Sequence, residues 1–187
     1  QAFHQSPVSR SGGLAGIISF NIFLIFYYII YTKILFDYFF ICNLMFLIGF
    51  LDDLRIKISP FRRLILMIIF LFLCIHFTPI KIFYVDLPFL TSLLTNNIFS
   101  SLFVLLCFLF VINGANLIDG FNGLLTINLI IINSILTYIN LADGINEFSV
   151  VVIGQIIILF SFLLFNFPSA KIFLGDSGSY LFGSLVA

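Results

Sequence analysis

Charge is what this sequence has least of. Of its 187 residues only 9% are Asp, Glu, Lys or Arg, while 62% are hydrophobic and 27 are phenylalanine. With a mean hydropathy of +1.25, that balance excludes an ordinary soluble domain. It favours transmembrane helices, because about 20 apolar residues at ~1.5 Å rise cross a ~30 Å hydrocarbon layer. Basic and acidic residues cancel to a formal net charge of zero, so the lipid bilayer is the expected partner and nucleic acid is not. Cysteine is scarce as well. Cys42, Cys74 and Cys107 each lie inside an apolar run, a scatter that fits neither a disulfide framework nor a zinc site and reads as buried structural thiols. The polar opening "QAFHQSPVSRSGG" shows no cleavable signal peptide. No repeat, low-complexity linker or domain boundary divides the chain, so one integral-membrane domain over residues 1–187 is expected. Gln1 is not a methionine, and the last apolar run, from Ser179, stops after nine residues, about 14 Å of helix. The chain therefore reads as a piece of a longer protein, cut at the C-terminus and at the N-terminus.

The apolar runs predict an all-α, polytopic transmembrane bundle of about six complete spans and a truncated seventh. The spans are Leu14–Thr32, Ile34–Leu51, Leu64–Phe83, Ile98–Ile112, Leu124–Asn140 and Phe148–Phe165. Alternating the sides puts "SRSGG", "DDLRIKISPFRR", "NGANLIDGFNG" and "NFPSAKIFLGDSG" on one face. Arg10, Arg55, Lys57, Arg62, Arg63 and Lys171 fall there, against Lys33 and Lys81 on the other. The positive-inside rule makes the first face cytoplasmic. Every polar, glycine-rich cluster lands on that face.

Those clusters carry the chemistry. Asp52 and Asp53 close the second span, where neighbouring carboxylates repel unless a cation such as Arg55 or Lys57 lies beside them. Asp176 sits in "FLGDSGS", which reads as a helix N-cap or as a glycine-rich cradle exposing N–H groups to a phosphate. Asn113, Asn116, Asp119 and Asn122 recur every three residues, keeping neighbours on a shared helical face, and Gly120 and Gly123 loosen its end. Such a run is either a structural asparagine network or a functional site, and ionisable groups near membrane depth favour the second. The acids Asp52, Asp53, Asp119 and Asp176 share one side of the bundle. Oxygen donors of this type suit Mg²⁺ bridging one or two carboxylates to substrate phosphates, so a phosphoryl-transfer site at the membrane surface is expected. A transporter or polyisoprenoid-binding protein is the rival of another class. An ion path would put ionisable groups near the bilayer midplane rather than at one face.

"GFLDDL", "NGANLIDGFNGL" and "NFPSAKIFLGDSGS", preceded by "SPVSRSGGLAG", resemble, in order, the signature segments of the polyprenyl-phosphate N-acetylhexosamine-1-phosphate transferases. That family includes bacterial enzymes making lipid-linked GlcNAc and the phospho-MurNAc-pentapeptide translocase. The resemblance implies a bacterial inner-membrane enzyme working at the cytoplasmic face. It would transfer an N-acetylamino-sugar 1-phosphate from a UDP-sugar to polyprenyl phosphate, releasing UMP, with Mg²⁺ (or Mn²⁺), and a homodimer is compatible with it. By motif matching Asp176 would be the main metal ligand. Asp52 and Asp53 would organise metal or take a proton from the lipid phosphate, and Asn116 and Asp119 would line the cleft. Asn166 and Phe173 would contact the nucleotide, Phe173 by stacking on uracil. Asn122 would lie beside the uracil, and Arg10, in the Pro-x-x-Arg-x-Gly-Gly segment, is a further candidate substrate-binding residue. Direct attack by the lipid phosphate is favoured, since that anion mainly needs positioning. "DDLRIKISPFRRL" looks more like the GlcNAc-type and O-antigen or cell-envelope polymer initiators than like the pentapeptide enzyme, which is the alternative. Two departures stand out. Asn122 replaces the second acid of the family's Asp-Gly-x-Asp-Gly, and the family's later loop, rich in His and basic residues, has no counterpart here. His4 lies in the opening tail, and His76, inside the third span, reads as a packed or interface histidine.

Overall fold

A computed structural model describes residues 8–54, 56, 58–78, 80, 82, 85–141, 144 and 146–187. The chain is all-helical: α1 (Gly12–Tyr31), α2 (Phe36–Asp53), α3 (Pro60–Phe77), α4 (Pro88–Leu94), α5 (Asn97–Ile118), α6 (Leu124–Leu141), α7 (Glu147–Asn166) and α8 (Gly175–Val186). Local chemistry sets the starts. Ser59 accepts from the Arg62 amide ahead of Pro60, Asn96 accepts from Ile98 and Phe99, and Asn146 accepts from Ser149. Each satisfies donors that a first helical turn leaves orphaned.

Among the described residues five helices, α1, α3, α5, α6 and α7, are long and apolar enough to cross a membrane. Their outward faces carry Ile25, Ile29, Phe72, Phe110 and Leu164 in the open, as lipid-facing surfaces do. This is a multi-pass membrane protein. The expected second span differs. Three aspartates, Asp37, Asp52 and Asp53, at its ends set α2 apart in composition, yet its 18 residues reach ~27 Å and residues 38–51 are uncharged. It still runs the height of the bundle, from beside Lys33 to α8. The fourth span was expected from Ile98, with an earlier start near Leu90 open; Pro88 instead opens a separate helix, α4. The fourth span also outlasts its expected end at Ile112, because Asn113–Ile118 continue α5.

The last helix is the hub. Ten of the 12 residues of α8 are buried, and it packs on α1, α2 and α5. Small residues permit this approach: a Cβ on Gly13 would stand 2.4 Å from the Gly178 nitrogen, and one on Gly49 2.4 Å from the Asp176 carbonyl. Without water to drive apolar faces together, such close backbone contact is how helices associate in lipid. Leu181, Phe182 and Leu185 join the α1–α6–α7 side of the core. Tyr180 joins the α3–α5 side.

Candidate active site

α8 starts where α2 ends, and that junction builds the site. Asp53, its side chain only 5% exposed, accepts from the Asp176 amide (3.2 Å), the Ser177 amide (2.9 Å) and the Ser177 hydroxyl (2.6 Å). It caps α8 from another helix, a charge-assisted arrangement favoured by the positive end of the helix dipole. Gly175 is required here. Its φ is +76°, and a Cβ would lie 2.6 Å from an Asp53 carboxylate oxygen. Of the two readings of "FLGDSGS", the cap is the one present, supplied by Asp53. These amides hold a carboxylate, so the anion at this helix end is the protein's own.

Asp52 and Asp176 converge on one cation. Arg63 Nη1 lies 2.9 Å from Asp52 Oδ2 and 3.0 Å from Asp176 Oδ2, and its guanidinium carbon stands 5.8 Å from the centre of the Tyr180 ring. Burial, then the neighbouring Asp52 and Asp53 carboxylates, push Asp176 up to about 6 against the opposing pull of Arg63. Asp119, ending α5, is pushed up to about 7, first by burial, then by Asp176 and Asp53, with Arg10 pulling the other way. Arg10 is 3.6 Å from Asp53, with 48% of its side chain exposed. Arg55 and Lys57, the cations expected beside Asp52 and Asp53, lie outside the described residues.

The remaining candidates divide. Asn116 reaches the Tyr180 hydroxyl, at the rim of the acid cluster. Asn113 turns aside, its amide donating to the Leu109 carbonyl (2.7 Å) and facing Met67 sulfur. Asn122 donates to the Pro168 carbonyl (3.2 Å). Asn166, 5% exposed, accepts from the Gly123 amide and donates to the Ile172 carbonyl. It clasps the loop after α5 to the loop after α7. The Phe173 backbone pairs with Ser9 and Gly12, seating the segment before α1 against the entry to α8, and its side chain is half-buried. Arg63 is the residue the sequence reading missed. The signal was available: it is the second of two arginines in the first turn of a Pro-started helix, ten positions after a pair of acids that needed a counter-charge.

Residues 35–187 match glycosyl transferase family 4. The chain is 36% identical over 152 residues to the phospho-N-acetylmuramoyl-pentapeptide-transferase of Streptococcus uberis, covering 75% of this chain and 44% of that protein. Proteins of the same name from Clostridium perfringens (31% over 149 residues, 75% of this chain, 47% of that protein) and Leuconostoc mesenteroides (44% over 77 residues, 40% and 23%) are also similar. The chain belongs to glycosyl transferase family 4. It spans about half the length of the first two of these relatives.

Proposed function

We propose that the whole protein transfers phospho-N-acetylmuramoyl-pentapeptide from its UDP carrier to polyprenyl phosphate at the cytoplasmic face, releasing UMP. The observation that carries this reading is the convergence of Asp52, Asp176 and Arg63 at the end of the bundle that gathers Arg10, Asp53 and Asp119, in a chain whose relatives bear that enzyme's name. Sugar 1-phosphate transfer needs neutralisation of a diphosphate and positioning of an anionic nucleophile. Asp52 Oδ2 and Asp176 Oδ2 define one position for positive charge, and a cation held there meets the first requirement. Among the described residues no three His, Cys, Asp or Glu side chains form a ready-made metal cluster. A pair fits Mg²⁺, which binds through one or two carboxylates together with substrate phosphates. Asp176 and Asp52 would hold it, and when bound it supplies charge neutralisation of the donor.

The chain's own groups do the rest. Arg63, which pairs with both acids, would face donor phosphate, and Arg10 would draw the lipid phosphate toward the cluster. Asp119, its carboxyl pushed up to about 7 first by burial, lines the cleft. Direct attack of the lipid phosphate on the β-phosphorus requires no covalent enzyme intermediate. The test is UMP release by the full-length protein in lipid from UDP-MurNAc-pentapeptide and from UDP-GlcNAc. Preference for the pentapeptide donor is expected; preference for UDP-GlcNAc restores the GlcNAc-type reading.

A further inference from the structure

Arg63 fills the position between two acids that a bridging cation would need. Asp52 Oδ2 and Asp176 Oδ2 lie 2.9 and 3.0 Å from the same nitrogen, Nη1. A divalent cation bonding these two oxygens takes the lone pairs that Arg63 uses and comes up against a like charge. The two occupants cannot share the pair. Asp53 offers no alternative, because its carboxylate is engaged by the Asp176 and Ser177 amides and the Ser177 hydroxyl.

The arrangement suits exchange better than a permanent bridge. Among the described residues Arg63 meets each acid through that one nitrogen, not with the two-nitrogen fork that makes arginine–carboxylate pairs strong. Its side chain is 20% exposed, and those of Asp52 and Asp176 are 28% and 23% exposed, so ions in water reach the pair. One guanidinium leaves two ionised acids short of a positive charge, whereas a divalent cation matches them. Beside the guanidinium stands the Tyr180 ring, 5.8 Å from its carbon to the ring centre. Tyr180 is 1% exposed and fixed in the α3–α5 side of the core. Cation–π contact of this kind does not depend on the acids, so it keeps Arg63 at the cluster when another anion draws it off them. A diphosphate is such an anion, since the guanidinium fork fits phosphate oxygens.

We propose that Arg63 is the internal counter-ion of this site: it and a divalent cation exclude one another between Asp52 and Asp176, and a donor diphosphate opens the site by taking up Arg63. The diphosphate rests on the transfer reading above; the exclusion does not. Metal and donor then bind as a coupled pair, each raising the affinity of the other, and Arg63 supplies part of that coupling. An arginine that only ties α3 to α2 and α8 supplies none.

The test is Mn²⁺ binding, read by electron paramagnetic resonance on the full-length protein in nanodiscs free of polyprenyl phosphate, so that no transfer occurs. Without donor, Arg63→Gln and Arg63→Met should each tighten Mn²⁺ roughly tenfold by removing a charge at contact range. Arg63→Lys, which keeps the charge, should stay close to the native protein. Arg10→Gln removes an exposed cation 3.6 Å from Asp53 and should change the affinity about twofold or less. UDP-MurNAc-pentapeptide should tighten Mn²⁺ by a larger factor in the native protein than in Arg63→Gln. Unchanged or weaker Mn²⁺ binding in both neutral variants overturns the proposal and makes Arg63 a structural tie, whatever the donor does. Equal gains in Arg10→Gln and Arg63→Gln overturn it too, by assigning the effect to overall charge. Tighter Mn²⁺ in both neutral variants, with no response of the native protein to any UDP-sugar, upholds the exclusion and removes the transfer reading.

Discussion

Asp53 and Asp176 lie 123 positions apart in sequence and do opposite jobs at one junction. Asp53 holds the first amides of α8 and the Ser177 hydroxyl, while Asp176 shares Arg63 with Asp52. Asp53→Asn replaces an acceptor that faces three donors by an amide presenting its own N–H groups. A loss of about 1.5–3 kcal/mol is expected, the worth of hydrogen bonds to a charged group, read as a lower unfolding midpoint in detergent. Asp176→Asn should keep that midpoint and lose nearly all transfer; near-normal turnover would reject its role at the metal. Asp119 gives a pH signature. Its folded pKa, about 7, lies above its unfolded value, so the folded state binds the extra proton. That contribution to stability is complete below ~pH 4 and disappears as pH rises through 7. Asp119→Asn should therefore flatten the fall in unfolding free energy between pH 4 and 7, and an identical slope in both proteins would place Asp119 in open water. The sequence singled out these acids but not which of them meets the start of α8. Adjacent Asp52 and Asp53 look alike in the chain; only the packing of α8 against the end of α2 distinguishes the cap from the partner of Arg63.

The helices themselves were largely legible, because long apolar runs bounded by Ser59-Pro60, Asn96 and Asn146 state both length and start. What periodicity could not convey was rank. α8 looked like a truncated remnant and proves to be the most enclosed element, since Gly13, Gly49 and Gly183 let neighbours approach it closely. The α6–α7 pair carries a feature of the opposite kind. Asn133 continues the buried stripe of Leu125 and Leu129 on α6. Gln155 lies eight residues into α7, about as far from the connecting turn as Asn133 lies on α6, and donates to the Phe182 carbonyl. Asn133 Oδ1 and Nδ2 and Gln155 Oε1 are buried without partners among the described residues. Burying unpaired amide groups costs about 1–3 kcal/mol, so Asn133→Leu should raise stability by about 1 kcal/mol or more in detergent unfolding. A clear loss of stability would mean that Asn133 is satisfied by internal water.

Charge asymmetry ties these elements into one oriented body. Arg10, Arg63 and Lys171 gather at the end where α2 meets α8, while Lys33 pairs with Glu147 at the far end, joining the α1–α2 turn to the start of α7. The clustering was readable from the alternation of spans, and so was the union of three distant motifs, because each follows a helix that must end on the same side. The asparagines of the run after α5 were less readable. Their even spacing suggested one shared face, yet inside α5 Asn113 bonds its own helix backbone and Asn116 turns to Tyr180, while Asn122 lies past the end of α5 at Ile118 and bonds the Pro168 carbonyl. Orientation in the membrane is the property on which the shared-site argument depends, and it can be measured directly. With Cys42, Cys74 and Cys107 replaced by alanine, a cysteine at Phe121, 69% exposed beside the acid end, should react with an impermeant maleimide only from the cytoplasmic side. One at Thr95, exposed between α4 and α5, should react only from outside. α5, 22 residues long, separates the two sites by ~33 Å of helix, so labelling of both from one side would mean that α5 does not cross. The acids of α2 and α8 and Asp119 would then lie on different faces, and a single phosphoryl-transfer centre built from them would be lost.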